Sequence, residues 1–222
     1  MGYSPDKDIL VFDIEGTDSK ERGDERMTFE QTTSLFALAL ADVLIINMWT
    51  QDVGRHTGSN YGLLKVIFEV NLKLFKQESA KKLLFCLRDF NPHTNNFESI
   101  KGMIRQDIEF IWADIYKPEG FEDSKAEQFF DFEFKALPHK EFMPKEFEEE
   151  CGQLKARFRR DAPDSLFPPT GEKNIPMDGF PYFVEDTWGV IRENKELNLP
   201  GQKQMVATFR CNEIKGEAMN LV

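Results

Sequence analysis

The chain has 222 residues, a formal net charge of −11 and an isoelectric point near 4.9. A surface this acidic argues against broad nucleic-acid binding, although a nucleotide pocket needs only backbone amides and a few cations. The three cysteines are scattered without metal-ligand spacing, which predicts reduced thiols in the cytoplasm. No apolar stretch approaches the roughly 20 residues of a membrane span and no signal peptide opens the chain, so we expect a soluble protein.

Short apolar runs alternate with segments of helical period up to residue 160, which is typical of a parallel sheet with crossover helices. The predicted strands are Ile9–Phe12, Val43–Ile46, Leu83–Leu87 and Phe129–Leu137. The predicted helices are Phe29–Leu40, Gly62–Phe75, Phe97–Trp112 and Glu146–Arg160. Because the fourth strand alternates phenylalanine with charged residues, we expect it near the edge of the sheet.

Composition divides the chain into three parts. Residues 1–160 carry the strand and helix pattern. Residues 161–183 are rich in proline and are predicted to form a linker or a strapping loop. Residues 184–222 are predicted to form short helices, at Val184–Asn194 and Gly201–Cys211.

The first apolar run delivers Asp13 and, three residues later, Gly16. A carboxylate at the carboxyl end of a parallel strand can hold Mg²⁺ through water, and a glycine there lets its backbone N–H approach a terminal phosphate. The spacing alone arises by chance in many chains, and a turn cap by Asp13 is the structural alternative. We predict a metal contact at Asp13 and a phosphate contact at Gly16.

The run Leu83–Leu87 delivers a charged pair, Arg88 and Asp89. A carboxylate accepts two hydrogen bonds from the N1–H and the exocyclic amine of guanine, which adenine does not offer, at about 1.5–3 kcal/mol each. A surface ion pair or a loop cap is the ordinary alternative. His139 follows the fourth strand, where a lone histidine is most often a surface residue. Because the carboxyl ends of parallel strands lie at one edge of the sheet, its strand end points to the same edge as Asp13 and Asp89.

Two other chemistries share the first motif. Asp13 and Glu15 are similar to the opening of two-metal exonucleases, in which Tyr182 and Asp186 would supply a late acidic element. A phosphatase of the haloacid dehalogenase type would use Asp13 as its nucleophile. The acidic balance of the chain argues against the nuclease, and the absence of a later pair of aspartates argues against the phosphatase.

Longer strings distinguish among these possibilities, because they resemble the atlastin-like, root hair defective three group of dynamin-superfamily GTPases. The strings that carry the resemblance are Asp13–Asp18, Glu21–Gly23, Phe29–Glu30, Leu35–Ala39, Asp42–Asn47, Gly62–Lys65, Arg88–Asp89, Leu137–Lys140, Ile175–Pro181 and Phe209–Ile214. The likeness covers nearly the whole chain. It implies a P-loop GTPase-type α/β fold, with a mainly parallel sheet, helices on both faces and short helices after it.

The resemblance also implies functional roles. Arg88 and Asp89 would form the guanine motif of a site that takes GTP with Mg²⁺. Leu137, Pro138 and His139 would belong to the segment that closes over the guanine. The family implies a GTPase domain that forms homodimers and thereby tethers and fuses endoplasmic reticulum membranes, acting on their cytoplasmic face.

The chain departs from the family pattern at its start. No Gly-x-x-x-x-Gly-Lys-[Ser/Thr] motif occurs, and few residues precede the first predicted strand. We therefore expect an N-terminally incomplete GTPase domain, of which residues 1–160 are the later part, inactive alone and lacking the membrane segments of the whole protein. The catalytic residue stays unknown, because in the family it comes from the phosphate loop. A non-catalytic interaction protein derived from this domain is the alternative.

Overall fold

The computed structural model describes residues 2–4, 9–14, 26–55, 59–74, 81–167 and 179–193. The strands in these ranges are β1 (Gly2–Ser4), β2 (Ile9–Val11), β3 (Val43–Trp49), β4 (Lys81–Arg88) and β5 (Phe130–Ala136). The helices are α1 (Arg26–Leu40), α2 (Ser59–Leu74), α3 (Phe97–Asp114), α4 (Pro144–Arg157) and α5 (Phe180–Glu193). Single turns of 3-10 helix lie at Thr50–Asp52 and Ala126–Gln128.

The three longer strands form a parallel sheet in the order β3-β4-β5. Helix α2 connects β3 to β4, and helix α3 connects β4 to β5, so both connections are helical crossovers. The register places Trp49 opposite Arg88 and Leu87 opposite Ala136. The prediction of a parallel sheet with crossover helices is confirmed, and among the described strands β5 lies at one edge of the sheet.

The first predicted strand does not join this sheet. Strand β2 pairs antiparallel with β1 in a separate two-stranded sheet, in which Tyr3 lies opposite Leu10. Ile9 is half-buried and Val11 is exposed. The prediction of a buried parallel strand at Ile9–Phe12 was therefore wrong, because apolar character alone does not specify which strand a run pairs with or in which direction.

Strand β4 lies at the centre of the packing. Leu83, Phe85 and Leu87 belong to the main core, which also contains residues of α1, α2 and α3. On the other face, Leu84 and Cys86 pack with Leu166, against which Leu154 and Phe158 at the end of α4 also lie. Burying a side chain of this size contributes about 1.5–3 kcal/mol. The sheet thus has helical cover on both faces, as the fold class predicts.

Helix α3 follows the predicted pattern closely. Its buried isoleucines, Ile100, Ile104, Ile108 and Ile111, recur at intervals of three or four residues. Asn96 caps its first turn, because its side-chain oxygen accepts a hydrogen bond from the N–H of Ser99 at 3.0 Å. The helix therefore begins at Phe97, as predicted.

Ion pairs and aromatic contacts attach the last two helices. Arg157 at the end of α4 reaches Glu133 of β5 at 3.1 Å. Helix α5 begins at Phe180 rather than at Val184, and it packs on α1 through an edge contact of Trp188 with Phe36 at 5.2 Å. The predicted helix at residues 201–211 lies outside the described residues. Among the helices that the structure describes, none combines the length and apolar character needed to cross a membrane.

Candidate functional site

The chain turns sharply where β4 ends. Asp89 has a φ of 54°, and it is the one residue other than glycine with positive φ in the described ranges. The left-handed conformation costs roughly 1–2 kcal/mol for a residue with a Cβ, although aspartate tolerates it better than most. Such conformations persist where the surrounding structure holds them, and they are enriched at functional sites. The conformation of Asp89 therefore marks the end of β4 as a candidate functional site.

The turn at Arg88 and Asp89 is called the corner below. The backbone of Leu137, which follows β5, forms hydrogen bonds on both sides of it. Its N–H donates to the carbonyl of Leu87 at 2.8 Å, and its carbonyl accepts from the N–H of Phe90 at 3.0 Å. One residue thus bonds the chain on both sides of Arg88 and Asp89. Pro138 is buried next to it. The structure brings the predicted segment from Leu137 to His139 against the predicted pair.

His139 connects its own loop to Asp89. Its Nδ1 accepts hydrogen bonds from the backbone N–H groups of Glu141 at 3.2 Å and Phe142 at 3.4 Å. Because Nδ1 is an acceptor in both, the proton of the neutral ring lies on Nε2. Nε2 is 3.6 Å from Oδ2 of Asp89, too far for a direct hydrogen bond but within ion-pair range when the ring is protonated. The ring also stacks on Phe142, with centroids 4.2 Å apart.

The opposite side of the corner is held by the end of β3. The hydroxyl of Thr50 donates to the carbonyl of Arg88 at 2.6 Å. The guanidinium of Arg88 lies over the indole ring of Trp49, 4.1 Å from its centroid. The sequence predicts that this strand ends at Ile46, so Trp49 and Thr50 fall outside the predicted strand, whereas β3 extends to Trp49. A tryptophan three residues beyond the predicted end was the available signal.

The arrangement suits a planar ligand with two adjacent N–H donors. The side chains of Asp89 and His139 are each about one third exposed, at 36% and 32%, so a ligand reaches them from solvent. Asp89 offers two acceptor oxygens, and the guanidinium of the preceding residue, Arg88, lies over the ring of Trp49. The edge of guanine presents two such donors, whereas the equivalent edge of adenine does not.

The structure does not link Asp13 to the turn at Asp89. Asp13 is exposed just after β2, in the separate two-stranded sheet, and none of the described hydrogen bonds or ion pairs links it to Arg88, Asp89 or His139. Gly16 lies outside the described residues. The described ranges hold no group of three or more histidine, cysteine or acidic side chains arranged for a metal ion. Magnesium that arrives with a nucleotide needs only one or two carboxylates, so an exposed Asp13 is compatible with it.

Burial disfavours the thiolate form of the two described cysteines. Burial raises the pKa of Cys86 to about 11, with a further rise from Cys151 that Lys135 partly offsets. Desolvation also raises the pKa of Cys151. Since thiolates are the nucleophilic form, neither thiol is a candidate nucleophile. Both cysteines are free, which agrees with the prediction of reduced thiols, while Cys211 lies outside the described residues.

The parallel sheet, its helices on both faces and the acidic corner at its carboxyl edge define an α/β domain of the P-loop GTPase type. Residues 3–200 match the family profile described as the Root hair defective 3 GTP-binding protein (RHD3) GTPase domain. The chain belongs to this family. The resemblance inferred from the motifs is thereby confirmed.

Comparison with three relatives shows how much of each chain the sequence similarity covers. Over 215 residues the chain is 44% identical to "Protein SEY1 homolog" of Dictyostelium discoideum, which covers 95% of this chain and 24% of that protein. It is 44% identical over 224 residues to "Protein SEY1" of Uncinocarpus reesii, covering 95% and 26%. It is 43% identical over 216 residues to "Protein sey1" of Schizosaccharomyces japonicus, covering 96% and 28%. The chain spans about a quarter of the length of these relatives.

Proposed function

We propose that this chain is the guanine-reading part of a GTPase domain. The observation that supports the proposal is the strained corner at Asp89, which is held by β3 residues on one side and by Leu137 and His139 on the other. Membership of the RHD3 GTPase domain family makes a guanine nucleotide the expected ligand.

Asp89 reads the base in this proposal. Its carboxylate accepts the N1–H and the amine of guanine, and each charge-assisted hydrogen bond contributes about 1.5–3 kcal/mol. Arg88 lies beside the base and attracts the nucleotide through its charge. Leu137, Pro138 and His139 close over the base, because the backbone bonds of Leu137 already fix this segment against the corner.

The phosphate side of the site involves the first motif. We propose that Asp13 contacts the hydrated Mg²⁺ that accompanies GTP and that the backbone N–H of Gly16 approaches the terminal phosphate. Bound magnesium would supply neutralisation of the charge on the phosphates. A catalytic residue is not assigned, because in the family it comes from the phosphate loop, whose motif does not occur in these 222 residues.

The whole protein would act at a membrane. We propose GTP hydrolysis coupled to fusion and shaping of the endoplasmic reticulum, on its cytoplasmic face, with homodimers formed through the GTPase domain. Membrane contact would come from segments outside this chain. Residues 1–160 would be the later part of the GTPase domain and 161–183 a proline-rich linker or strap, whose last residues, from Phe180, already begin helix α5. Residues 184–222 would be the end of the GTPase domain or the start of a helical region.

A second candidate is a non-catalytic interaction protein built on the same sheet. The observation that favours it is the free edge of β3, which pairs only with β4 among the described strands and exposes half of Ile45. A strand edge of this kind recruits other chains. The two-metal nuclease is disfavoured by the family to which the chain belongs.

The experiment that tests the primary proposal uses a chimera of the Dictyostelium relative, in which the 215 matched residues are replaced by those of this chain. GTP, ATP and xanthosine triphosphate are titrated against the chimera and its Asp89→Asn variant. The amide has one acceptor oxygen, so GTP affinity is expected to fall roughly 10–150-fold, or about 1.5–3 kcal/mol, whereas xanthosine triphosphate loses much less. A guanine preference that survives Asp89→Asn unchanged shows that the base is read elsewhere.

A further inference from the structure

Trp49 and Arg88 form a pair that the guanine motif does not include. They lie opposite each other in the register of β3 and β4, at the last residue of each strand. The guanidinium is 4.1 Å from the centroid of the indole ring. The ring is 40% exposed, so it lies at the surface of the site and not in the core. The hydroxyl of Thr50, the next residue, holds the carbonyl of Arg88 at 2.6 Å.

The position of this guanidinium matters because Arg88 precedes Asp89 in the chain. Neighbouring groups of opposite charge at a surface attract each other, and an arginine fork matches a carboxylate in shape. An ion pair between the two would engage the same oxygens that a guanine edge needs. In the described structure the guanidinium lies on Trp49 instead, and the side chain facing Asp89 is His139.

We propose that Trp49 is a specificity-determining positioning residue. By holding the guanidinium of Arg88 over its ring, Trp49 keeps this cation from pairing with Asp89 and leaves both carboxylate oxygens open to the two N–H donors of guanine. Arginine is well suited to such stacking, because its planar guanidinium is weakly hydrated. This inference rests on the proposed function of Asp89 as the base-reading residue.

The test compares GTP and ATP affinities in the Dictyostelium chimera for Trp49→Ala, Trp49→Phe, Arg88→Ala and the double variant Trp49→Ala/Arg88→Ala. Trp49→Ala is expected to lower the GTP-to-ATP affinity ratio about two- to fivefold, the range that a surface ion pair supports. Trp49→Phe restores most of the ratio, since a phenyl ring still accepts the cation. In the double variant the GTP-to-ATP affinity ratio is expected to equal that of Arg88→Ala alone, because the cation that competes for Asp89 has been removed.

A purely structural role of Trp49 gives a different pattern. In that case Trp49→Ala would lower the GTP-to-ATP affinity ratio equally with and without Arg88, and that result overturns the inference. Tyr116→Ala, which removes another exposed aromatic ring, is the matched control and leaves the ratio unchanged. A parent chimera that does not prefer GTP over ATP overturns the proposed function, and the specificity role of Trp49 with it.

A second measurement uses the 222-residue chain without any nucleotide. The side-chain Nε–H proton of Arg88 is expected upfield of its usual NMR position, because it lies over the face of the indole ring. This shift disappears in Trp49→Ala and is mostly retained in Trp49→Phe. An unshifted resonance in the parent chain overturns the stack of Arg88 on Trp49. A shifted resonance, together with a chimera that does not prefer GTP over ATP, shows that the stack exists and that the proposed base-reading role of Asp89 has failed.

Discussion

Nε2 of His139 lies 3.6 Å from Oδ2 of Asp89, across the ends of two parallel strands. Asp89 directly follows β4, and His139 follows β5 by three residues. The same imidazole ring uses Nδ1 to accept the N–H groups of its own turn, so its two nitrogens have separate tasks. One nitrogen shapes the loop, and the other faces the carboxylate.

The two tasks of His139 can be separated by substitution. The amide oxygen of His139→Asn lies near the position of Nδ1 and retains the bonds of the turn, while nothing replaces Nε2. The nitrogen of His139→Gln lies near Nε2 and faces Asp89. At a separation of 3.6 Å the contact is weak, so we expect His139→Asn to lower GTP affinity by about 0.5–1 kcal/mol and His139→Gln by less. Calorimetric titration of the chimera checks this, and equal losses in both variants would contradict it.

The 222-residue chain by itself is expected not to hydrolyse GTP. Positioning and charge neutralisation of the phosphates supply most of the catalysis in phosphoryl transfer, and the Gly-Lys loop that provides both is absent from these 222 residues. Phosphate release is measured from the purified chain with GTP and Mg²⁺, beside buffer alone. A rate well above that of buffer would overturn the expectation and indicate a different phosphate site.

The free edge of β3 is expected to make the chain self-associate. Within the described residues this strand pairs on one side only, and Ile45 on it is half exposed. A lysine on an edge strand blunts such pairing, so Ile45→Lys is expected to shift the population toward monomer. Tyr116→Lys adds the same charge at an exposed position outside the sheet and serves as the control. Analytical ultracentrifugation that finds a monodisperse parent monomer would show that this edge recruits nothing.

Cys86 is expected to make the fold sensitive to alkaline pH. In the unfolded chain its thiol titrates near the ordinary pKa of 9.0, whereas burial raises the folded pKa to about 11. The folded state therefore binds the proton more tightly. This contribution to stability is complete below pH 9 and is lost as the pH rises toward 11, up to about 3 kcal/mol.

Denaturant unfolding between pH 8 and 11 measures this effect. Cys86→Ala removes the titrating group, so its free energy of unfolding is expected to fall less steeply with pH than that of the parent. Cys151→Ala is expected to change the curve less, because Cys151 is half-buried and burial contributes more than Cys151 to the raised pKa of Cys86. Parallel pH curves for the parent and Cys86→Ala would show that the buried thiol does not contribute.

Much of the sheet and its helices follows from local sequence. Helix α3 could be predicted because its isoleucines recur at helical spacing, which places them on one face that can be buried. Asn96 supplies a cap before them. Strand β4 could be predicted because an unbroken apolar run is typical of a strand that is buried on both faces of a sheet. Arg88 and Asp89 could be recognised as candidate site residues because they directly follow this buried run, where charged side chains are exposed at the end of the strand.

The sequence by itself therefore determined the fold class, the central strand and the pair that ends it, because these depend on periodicity and on the apolar character of short segments. Only the tertiary structure decided that β2 pairs with β1, that Trp49 lies over Arg88 and that His139 faces Asp89. Each of these depends on the partner and register that a strand end acquires. Such contacts join residues far apart in the chain or in different strands, and no local pattern of side chains records them.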